Sequence, residues 1–384
     1  MSWKERTVEQ ARMEFVLEAI SEESSISALC RKYGISRPTG YKWIERYMKG
    51  EDLADRSHSP LTAAHRTKPE IEDLILETRA RHPTWGGHKI VAFLSGKGYE
   101  LLPAASTANA IIKRHGLISA EQSEKHTPYK RFERELPNQL WQMDFKGHFS
   151  MSDGDRCHPL TITDDCSRKL ICLDAYNNEQ WKSVETSLLR VFSEYGLPEA
   201  ILSDNGAPWG DSKHGYTLFE LWMMQLGVTP MHGRPLHPQT QGKEERFHRT
   251  LKEDVLKRIA IADLNHAQRV FDDYRIEYNA ERPHAALNYD VPDKHYTPSK
   301  RNLPEKWGEP EYDSGSTLRK VNYKGYISIN RCRYYLSETL ADRYIELGYM
   351  PDNTVKLYYG NYLIATINLD EGLFISRKIY PRNV

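Results

Sequence analysis

The chain has 384 residues, an apolar fraction of 39%, a charged fraction of 28% and a formal net charge of +0. That length exceeds one hydrophobic core and predicts two to four domains of a soluble globular protein. No apolar run approaches a membrane span, and MSWKERTVEQ lacks the apolar core of a signal peptide, so the expected location is the cytoplasm with no membrane partner. The five cysteines, Cys30, Cys157, Cys166, Cys172 and Cys332, form no CxxC pair and are odd in number, which argues against a disulfide framework or a zinc knuckle.

The neutral total hides an uneven distribution. Counted by segment, 1–66 is +1, 67–137 is +2, 138–300 is −5 and 301–384 is +2. Arg31 to Lys49 alone holds six Lys/Arg against one Glu. Zero net charge therefore does not exclude nucleic acid. It predicts contacts confined to particular faces.

Residues 1–50 read as three helices. Thr7 can cap the first with Gln10 three positions on, the second runs from about Ser25 to Tyr33 and stops at Gly34, and Ser36 caps the third. A short helix, a glycine turn and a basic helix form a helix-turn-helix pattern, whose second helix enters a major groove by its first residues. Arg37, Thr39, Gly40, Tyr41, Lys42 and Arg46 are the candidate DNA contacts, against the plain alternative of a three-helix packing unit. Residues 51–66 are a polar linker. Residues 67–118 carry three further helices, near Thr67–Arg81, His88–Gly96 and Ser106–His115, as a second helical DNA-binding candidate or a spacer. Residues 119–137 are a second linker.

From 138 the period shifts to strands. Gln142–Phe149, His158–Thr163 and Lys169–Tyr176 meander, with Asp153-Gly154 as a hairpin turn between the first two. A helix over Trp181–Tyr195, a strand over Glu199–Ser203, a helix over 216–226, a strand over Gly227–Met231, and helices over Gln241–Ile261 and Asn265–Tyr278 come next. This order describes a ribonuclease-H-like α/β core over 138–300. Residues 301–384 hold short aromatic and β-branched runs broken by Gly, Asn and Asp, which read as a small β-barrel. The fold class is thus multidomain: α-helical helix-turn-helix domains, an α/β ribonuclease-H-like core and a small all-β C-terminal barrel.

Three acids stand out in the core. Asp144 lies in LWQMDFKG, Asp204 in ILSDNGAPW, and a third acid, Glu244 or Glu245, in HPQTQGKEERFHRTLKED. Carboxylates at strand ends plus one from a later helix suit a divalent-metal phosphoryl-transfer site, which needs hard oxygen ligands converging from separate rigid elements. Helical periodicity does not choose between Glu244 and Glu245. Lys243, Arg246, His248, Arg249 and Lys252 put positive charge beside these acids, either for phosphates or as a solvated helix face. His237 and Gln241 could orient DNA or water, or cap the helix. Asp164 and Asp165 fit a turn cap with Ser167 and Arg168, and Asp174 fits a strand residue paired with a cation.

The segments WQMDFKGHF, TITDDCSRKL, ILSDNGAPW, HPQTQGKEERFHRTLK and YNAERPHAALNYDVP, in this order, closely resemble the DDE transposases of bacterial insertion sequences, in the group whose core is similar to retroviral integrases. The resemblance covers about residues 20–300. It implies Asp144, Asp204 and Glu245 as catalytic and metal-binding residues, with Glu245 chosen because it immediately precedes Arg246. It further implies two Mg²⁺ (or Mn²⁺) ions, double-stranded DNA as transposon ends and target, and a homo-oligomer on that DNA. The implied activity is cleavage at terminal repeats and strand transfer. Alternatives are a nuclease that cuts without joining and a non-catalytic DNA-binding regulator. The stretch from Asp204 to Glu245 is longer than the group's usual spacing, with the surplus expected in the loop 210–215. Arg282-Pro283-His284 resembles the closing element of the family core.

Overall fold

Thr7 and Gln10 close a capping box at the first helix of the computed structural model, which describes residues 7–21, 25–55, 67–118, 134–210, 215–233, 242–376 and 378–382. Much of both expected linkers, His237, Gln241 and positions 211–214 of the loop lie outside the described residues. The chain divides into two compact units, 1–66 and 67–384.

In the first unit, α1 (Val8–Ile20), α2 (Ile26–Lys32) and α3 (Arg37–Met48) surround Phe15, Val16, Leu29, Cys30 and Trp43. Ser25 and Ser36 accept from the amides of Ala28 and Thr39, each satisfying a donor that the helix start leaves open. Gly40 is where α3 crosses α1 and α2. A Cβ there would stand 2.7 Å from Cys30 Sγ and 2.9 Å from Phe15 Cζ, so only glycine allows this approach.

The second unit opens with α4 (Pro69–Arg81), α5 (Gly87–Gly96) and α6 (Ala105–Arg114), packed around Ile75, Trp85, Ile90, Leu94, Ile111 and Ile112. Gly87 is again a crossing point, since a Cβ would meet the Ala105 carbonyl at 2.3 Å. Buried Arg79 braces the ends of this domain by donating to the carbonyls of Trp85 and Leu117 at 2.7 Å each.

The α/β core is built from β1 (Trp141–Phe145), β2 (Phe149–Ser150), β3 (Arg156–Asp164), β4 (Leu170–Tyr176), α7 (Trp181–Tyr195), β5 (Ala200–Ser203), α8 (Leu218–Gln225), β6 (Thr229–His232), α9 (Gly242–Leu251) and α10 (Leu264–Ala280). The main sheet runs β4-β3-β1-β5-β6, and short β2 pairs with the start of β3. β1, β3 and β4 are antiparallel neighbours; β5 is parallel to β1, and β6 to β5. One face is covered by α7 and α8 over Trp141, Ile162, Leu188, Phe192 and Phe219. The opposite face is covered by α9 and α10 over Leu170, Leu173, Phe247, Leu251 and Phe271.

Two core elements differ from expectation. The strand expected over Gln142–Phe149 stops at Phe145, because Gly147 turns to φ +78 and starts β2 as a separate piece. The helix expected to reach Ile261 is α-helical only to Leu251 and continues as a π turn over Lys252–Leu256. That wider turn rotates the residues after it relative to the α-helical phase of α9. Val255 stays in the core while Asp254 faces Arg282 and Tyr274.

The C-terminal region holds β7 (Leu318–Lys320), β8 (Tyr326–Ile329), β9 (Cys332–Tyr335), β10 (Tyr344–Tyr349), β11 (Thr354–Tyr359), β12 (Tyr362–Asn368), β13 (Leu373–Ser376) and β14 (Tyr380–Pro381). An antiparallel sheet ordered β13-β12-β11-β10-β7, with β14 also on β12, is joined by the β8–β9 hairpin. Its interior takes in Tyr216, Leu221 and Met224 at α8, so the all-β domain and the core share one hydrophobic cluster. The Tyr216 hydroxyl donates to the Ile364 carbonyl at 2.5 Å, and Ser337 Oγ to the Tyr216 carbonyl at 2.8 Å. Among the described residues no helix is long and apolar enough to cross a membrane.

Candidate active site

The parallel pairing of β1 with β5 sets Gln142 opposite Leu202. Two residues further along come Asp144, in β1, and Asp204, directly after β5. With a side-chain period of two, both acids reach the same level and the same face at the carboxyl ends of neighbouring parallel strands, where open α/β sheets bind ligands. Their closeness is felt electrostatically. Burial first, then the charge of Asp204, with Glu179 and Glu245 adding to it, pushes the Asp144 carboxyl up to about 7.

The Asp204 side chain is held by its own turn. Its Oδ1 accepts from the Gly206 amide at 3.0 Å, and a Cβ on Gly206 would come within 3.2 Å of Oδ2. Asn205 Nδ2 donates to the Gly233 carbonyl at 2.6 Å, tying the turn to the end of β6. Behind it, His232 Nδ1 lies 2.9 Å from the Asp204 carbonyl, and Nε2 3.0 Å from Glu220 Oε1. Burial works against the His232 imidazolium, but the hydrogen bond and charge of Glu220 outweigh it and raise this pKa.

The third acid comes from α9, and the two neighbouring glutamates diverge there. Glu244 is 2% exposed and accepts from Thr161 Oγ1 at 3.0 Å and from Thr163 Oγ1. Burial pushes its carboxyl up to about 8, against the lowering effect of Thr163. Glu245 is exposed at the edge of α9 and contributes to the field on Asp144. Among the described residues, no group of three or more His, Cys, Asp or Glu side chains stands close enough to hold a metal ion. Asp144, Asp204 and Glu245 thus share a field without closing into a cage.

The cations expected on α9 separate into two sets. Arg246, Arg249 and Lys252 are on the exposed side. Lys243 is bonded to the fully buried carboxylate of Asp165, which also accepts from the Arg134 amide at 2.8 Å and Gln142 Nε2 at 2.6 Å. His248 points inward, its Nε2 2.9 Å from Thr161 Oγ1 and its Nδ1 3.9 Å from Asp144 Oδ2. Burial, with help from Lys146, holds its pKa down at about 4, so it is neutral at physiological pH. Asp164 caps the β3–β4 turn, accepting from the Ser167 amide and hydroxyl at 2.7 Å each, and Asp174 pairs with Arg190 at 2.7 Å.

In the first unit, Arg37, Tyr41 and Lys42 are exposed on α3 and Thr39 is half-buried. Arg37 Nη2 donates to Ser27 Oγ at 2.8 Å. Arg46 lies over the Trp43 ring at 5.0 Å, with Nε 3.5 Å from Glu51.

Several participants carry no sequence signal. Glu179 reaches the field of Asp144 from the loop before α7, held by His158 Nδ1 at 2.7 Å. Thr161 and Thr163 gain a role only because α9 lies across β3. An alternation of threonines on a strand facing a Glu-rich helix is the one hint available beforehand.

Comparison with known families matches an integrase core domain over residues 134–238 and again over 226–292, a homeodomain-like domain over 39–112 and a helix-turn-helix domain over 11–60. The 31.7 kDa protein of insertion element IS407 from Burkholderia multivorans is 25% identical over 278 residues, which is 72% of this chain and 92% of that protein. The 39.2 kDa protein of insertion element IS476 from Xanthomonas euvesicatoria is 26% identical over 151 residues, covering 39% of this chain and 42% of that one. The Gag-Pro-Pol polyprotein of Simian retrovirus SRV-1 is 34% identical over 122 residues, 32% of this chain but 6% of the polyprotein. The chain therefore spans a small part of the retroviral polyproteins it matches. Among solved structures, the HTLV-2 integrase catalytic core domain in complex with magnesium aligns at 15% identity and a TM-score of 0.33, over 42% of this chain and 98% of that one. The chain thus carries an integrase core domain behind helix-turn-helix domains, and it is similar to proteins of bacterial insertion elements.

Proposed function

We propose that the protein binds the terminal repeats of an insertion sequence and catalyses metal-dependent DNA strand cleavage and strand transfer. One observation carries the reading: Asp144 and Asp204 end neighbouring parallel strands, and Glu245 joins their field. Asp144, Asp204 and Glu245 are the residues that would hold Mg²⁺ or Mn²⁺, two ions per site. Their chemistry fits, since hard carboxylate oxygens are what such cations bind, and burial together with the charge of Asp204 already disfavours an unaccompanied Asp144 carboxylate. Bound there, divalent ions supply Lewis acidity to the scissile phosphate and favour the ionised form of the attacking hydroxyl.

The chain's own residues do the rest. The Asp204–Gly206 turn aims one carboxylate, and the sheet fixes the other at the same level. Thr161 and Thr163 hold α9 against β3 through Glu244, which keeps Glu245 on the exposed edge of the helix, within the field of Asp144. Arg246, Arg249 and Lys252 offer positive charge to the DNA backbone beside the acids. The exposed residues of α3, namely Arg37, Tyr41 and Lys42, supply groove and phosphate contacts that recognise the element's ends, with Thr39 and Arg46 beside them. Assembly as a dimer or larger on DNA brings two ends together.

The test is a strand-transfer assay with the full chain, Mg²⁺ and a DNA fragment carrying the element's end. Joined product from the parent protein, and binding without cutting by Asp204→Asn, is the expected pair of results. Cut but unjoined DNA would make the protein a nuclease, and binding alone a regulator.

A further inference from the structure

The helical domain 67–118 meets the catalytic core along a charged seam. Asp254, in the π turn after α9, is its centre. Thr84 Oγ1 donates to Asp254 Oδ1 at 2.6 Å, Arg282 Nη1 to Oδ2 at 2.5 Å, and the Tyr274 hydroxyl to Oδ2 at 3.1 Å. The His88 ring stacks on Tyr289 with centroids 5.0 Å apart, and Lys97 Nζ lies 2.9 Å from Glu281. The first turn of α5 is thereby fixed on the core, and Lys89 is carried into the seam with it.

Lys89 lies in the fields of Arg282 and Arg246, with Asp254 opposing them, and Arg282, Lys89 and Arg168 act on His284. Asp254 is bonded to Arg282. Lys89 is half-buried and, among the described residues, its side chain makes no hydrogen bond or ion pair. His284 Nε2 is buried without a partner. Burial first, then the charges of Arg282 and Arg246 against that of Asp254, pushes the Lys89 amine down to about 7. A cation withdrawn from water and left unpaired is costly unless an anion completes it. A lysine on a fixed helix turn, flanked by guanidinium groups, is suited to a phosphate oxygen.

We propose that this seam is a phosphate site, with Lys89 as its point charge and Arg246 and Arg282 around it, and that a DNA backbone phosphate fills it. The phosphate chemistry stands on the seam alone; its identification with a DNA backbone rests on the transposase reading. Since Arg246 is next to Glu245 in α9 and Asp254 lies in the π turn beyond, a phosphate bound here links the helical domain, the DNA and the catalytic helix.

Two measurements on the full chain test this without using catalysis. The first is binding of a mixed-sequence DNA duplex over a range of salt concentrations for the parent, Lys89→Met and Lys89→Arg. Loss of one phosphate contact lowers the slope of log K against log salt by about 0.9 in Lys89→Met, while Lys89→Arg retains it. The second is the thermal shift caused by inorganic phosphate, expected in the parent and lost in Lys89→Met. Lys89→Gln replaces Lys89→Met if the latter does not fold. A lower slope supports a backbone phosphate, and loss of the thermal shift with an unchanged slope supports a free phosphate in the same seam. An unchanged slope together with an unchanged thermal shift overturns the site. Failure of the parent to cut or join DNA would count against the proposed activity and leave both readouts intact.

Discussion

Glu244 and Glu245 are adjacent in α9 and face opposite surroundings: Glu244 is buried against Thr161 and Thr163 of β3, while Glu245 is exposed and acts on Asp144. Two identical side chains therefore do two different jobs. On the proposed function Glu245 is the expected metal ligand, because it is exposed. Glu244 has its oxygens committed to the sheet and works as a strut. We expect Glu245→Gln to lower cleavage by more than about 100-fold, since residues one shell further out already cost about 10–100-fold when changed. Glu244→Gln, which can still accept from the threonines, is expected to lose about 10-fold or less, at the low end of that outer-shell range. Single-turnover cleavage of an end-bearing duplex measures both. Equal losses would mean the two glutamates share the metal.

The same crowding predicts a pH dependence of the metal-free protein. Asp144 and Glu244 have folded-state pKa values raised to about 7 and about 8, above their ordinary values of 3.8 and 4.5. The native state therefore holds more protons than the unfolded one between those limits, so the contribution of these groups is fully present below about pH 4 and is lost as pH rises to the folded values of about 7 and about 8. Thermal melts without divalent ions should show a decline from about pH 4.5 to about pH 8, levelling above it, that is smaller in Asp144→Asn and in Glu244→Gln. Added Mg²⁺ or Mn²⁺ should raise Tm more at the upper end, where Asp144 is ionised, because ligands must be deprotonated to bind. A parent curve identical to those of both variants would refute the assignment of these shifts.

Much of this arrangement is legible from local signals. The caps at Thr7 and Ser36, the apolar face of α7 and the strand ending at Ser203 are each encoded within a few residues, and the structure has them close to where the pattern puts them. Asp144 and Asp204 can be picked out because strand ends are readable without tertiary information. Periodicity cannot choose between Glu244 and Glu245, since what buries Glu244 is a pair of threonines more than 80 positions earlier in the chain. The seam around Lys89 is equally hidden. Its partners Asp254 and Arg282 belong to another domain, and Asp254 faces them because of a π turn that no residue pattern announces. Strands β7, β13 and β14 escape a sequence reading because short edge strands carry too few alternating residues to register.

Gly206 should matter more than its lack of a side chain suggests. A methyl group at this position would come within 3.2 Å of Asp204 Oδ2, tighter than ordinary contact, so the carboxylate must shift by a few tenths of an ångström. Gly206 has no positive φ, so the backbone itself tolerates alanine. We expect Gly206→Ala to keep its Tm within a few degrees and to lose about 10–100-fold in cleavage through misplacement of Asp204, a change comparable to displacing a supporting residue. Cleavage rates and melts on the same preparation check it. A fully active variant would mean that the turn does not aim Asp204.

The basic face of α3 yields a final contrast between two cations that the sequence treats alike. Lys42 is exposed, with Nζ 5.1 Å from the Trp43 ring centroid, and its ammonium can reach a phosphate. Arg46 has a side chain 11% exposed, stacks over the same Trp43 and sits 3.5 Å from Glu51, so its charge is used within the three-helix unit. Lys42→Gln is therefore expected to reduce the slope of log K against log salt by about 0.9 and leave the melt of this unit unchanged. Arg46→Gln is expected to keep the slope and lower the stability of the unit by about 1 kcal/mol, the combined loss of a cation–π contact and a weak ion pair. Duplex binding across a salt series, paired with denaturant unfolding followed through Trp43 fluorescence, distinguishes the two. If Arg46→Gln instead lowered the slope with no loss of stability, Arg46 would be a DNA contact and α3 would present a wider face to the groove than Arg37, Tyr41 and Lys42 define.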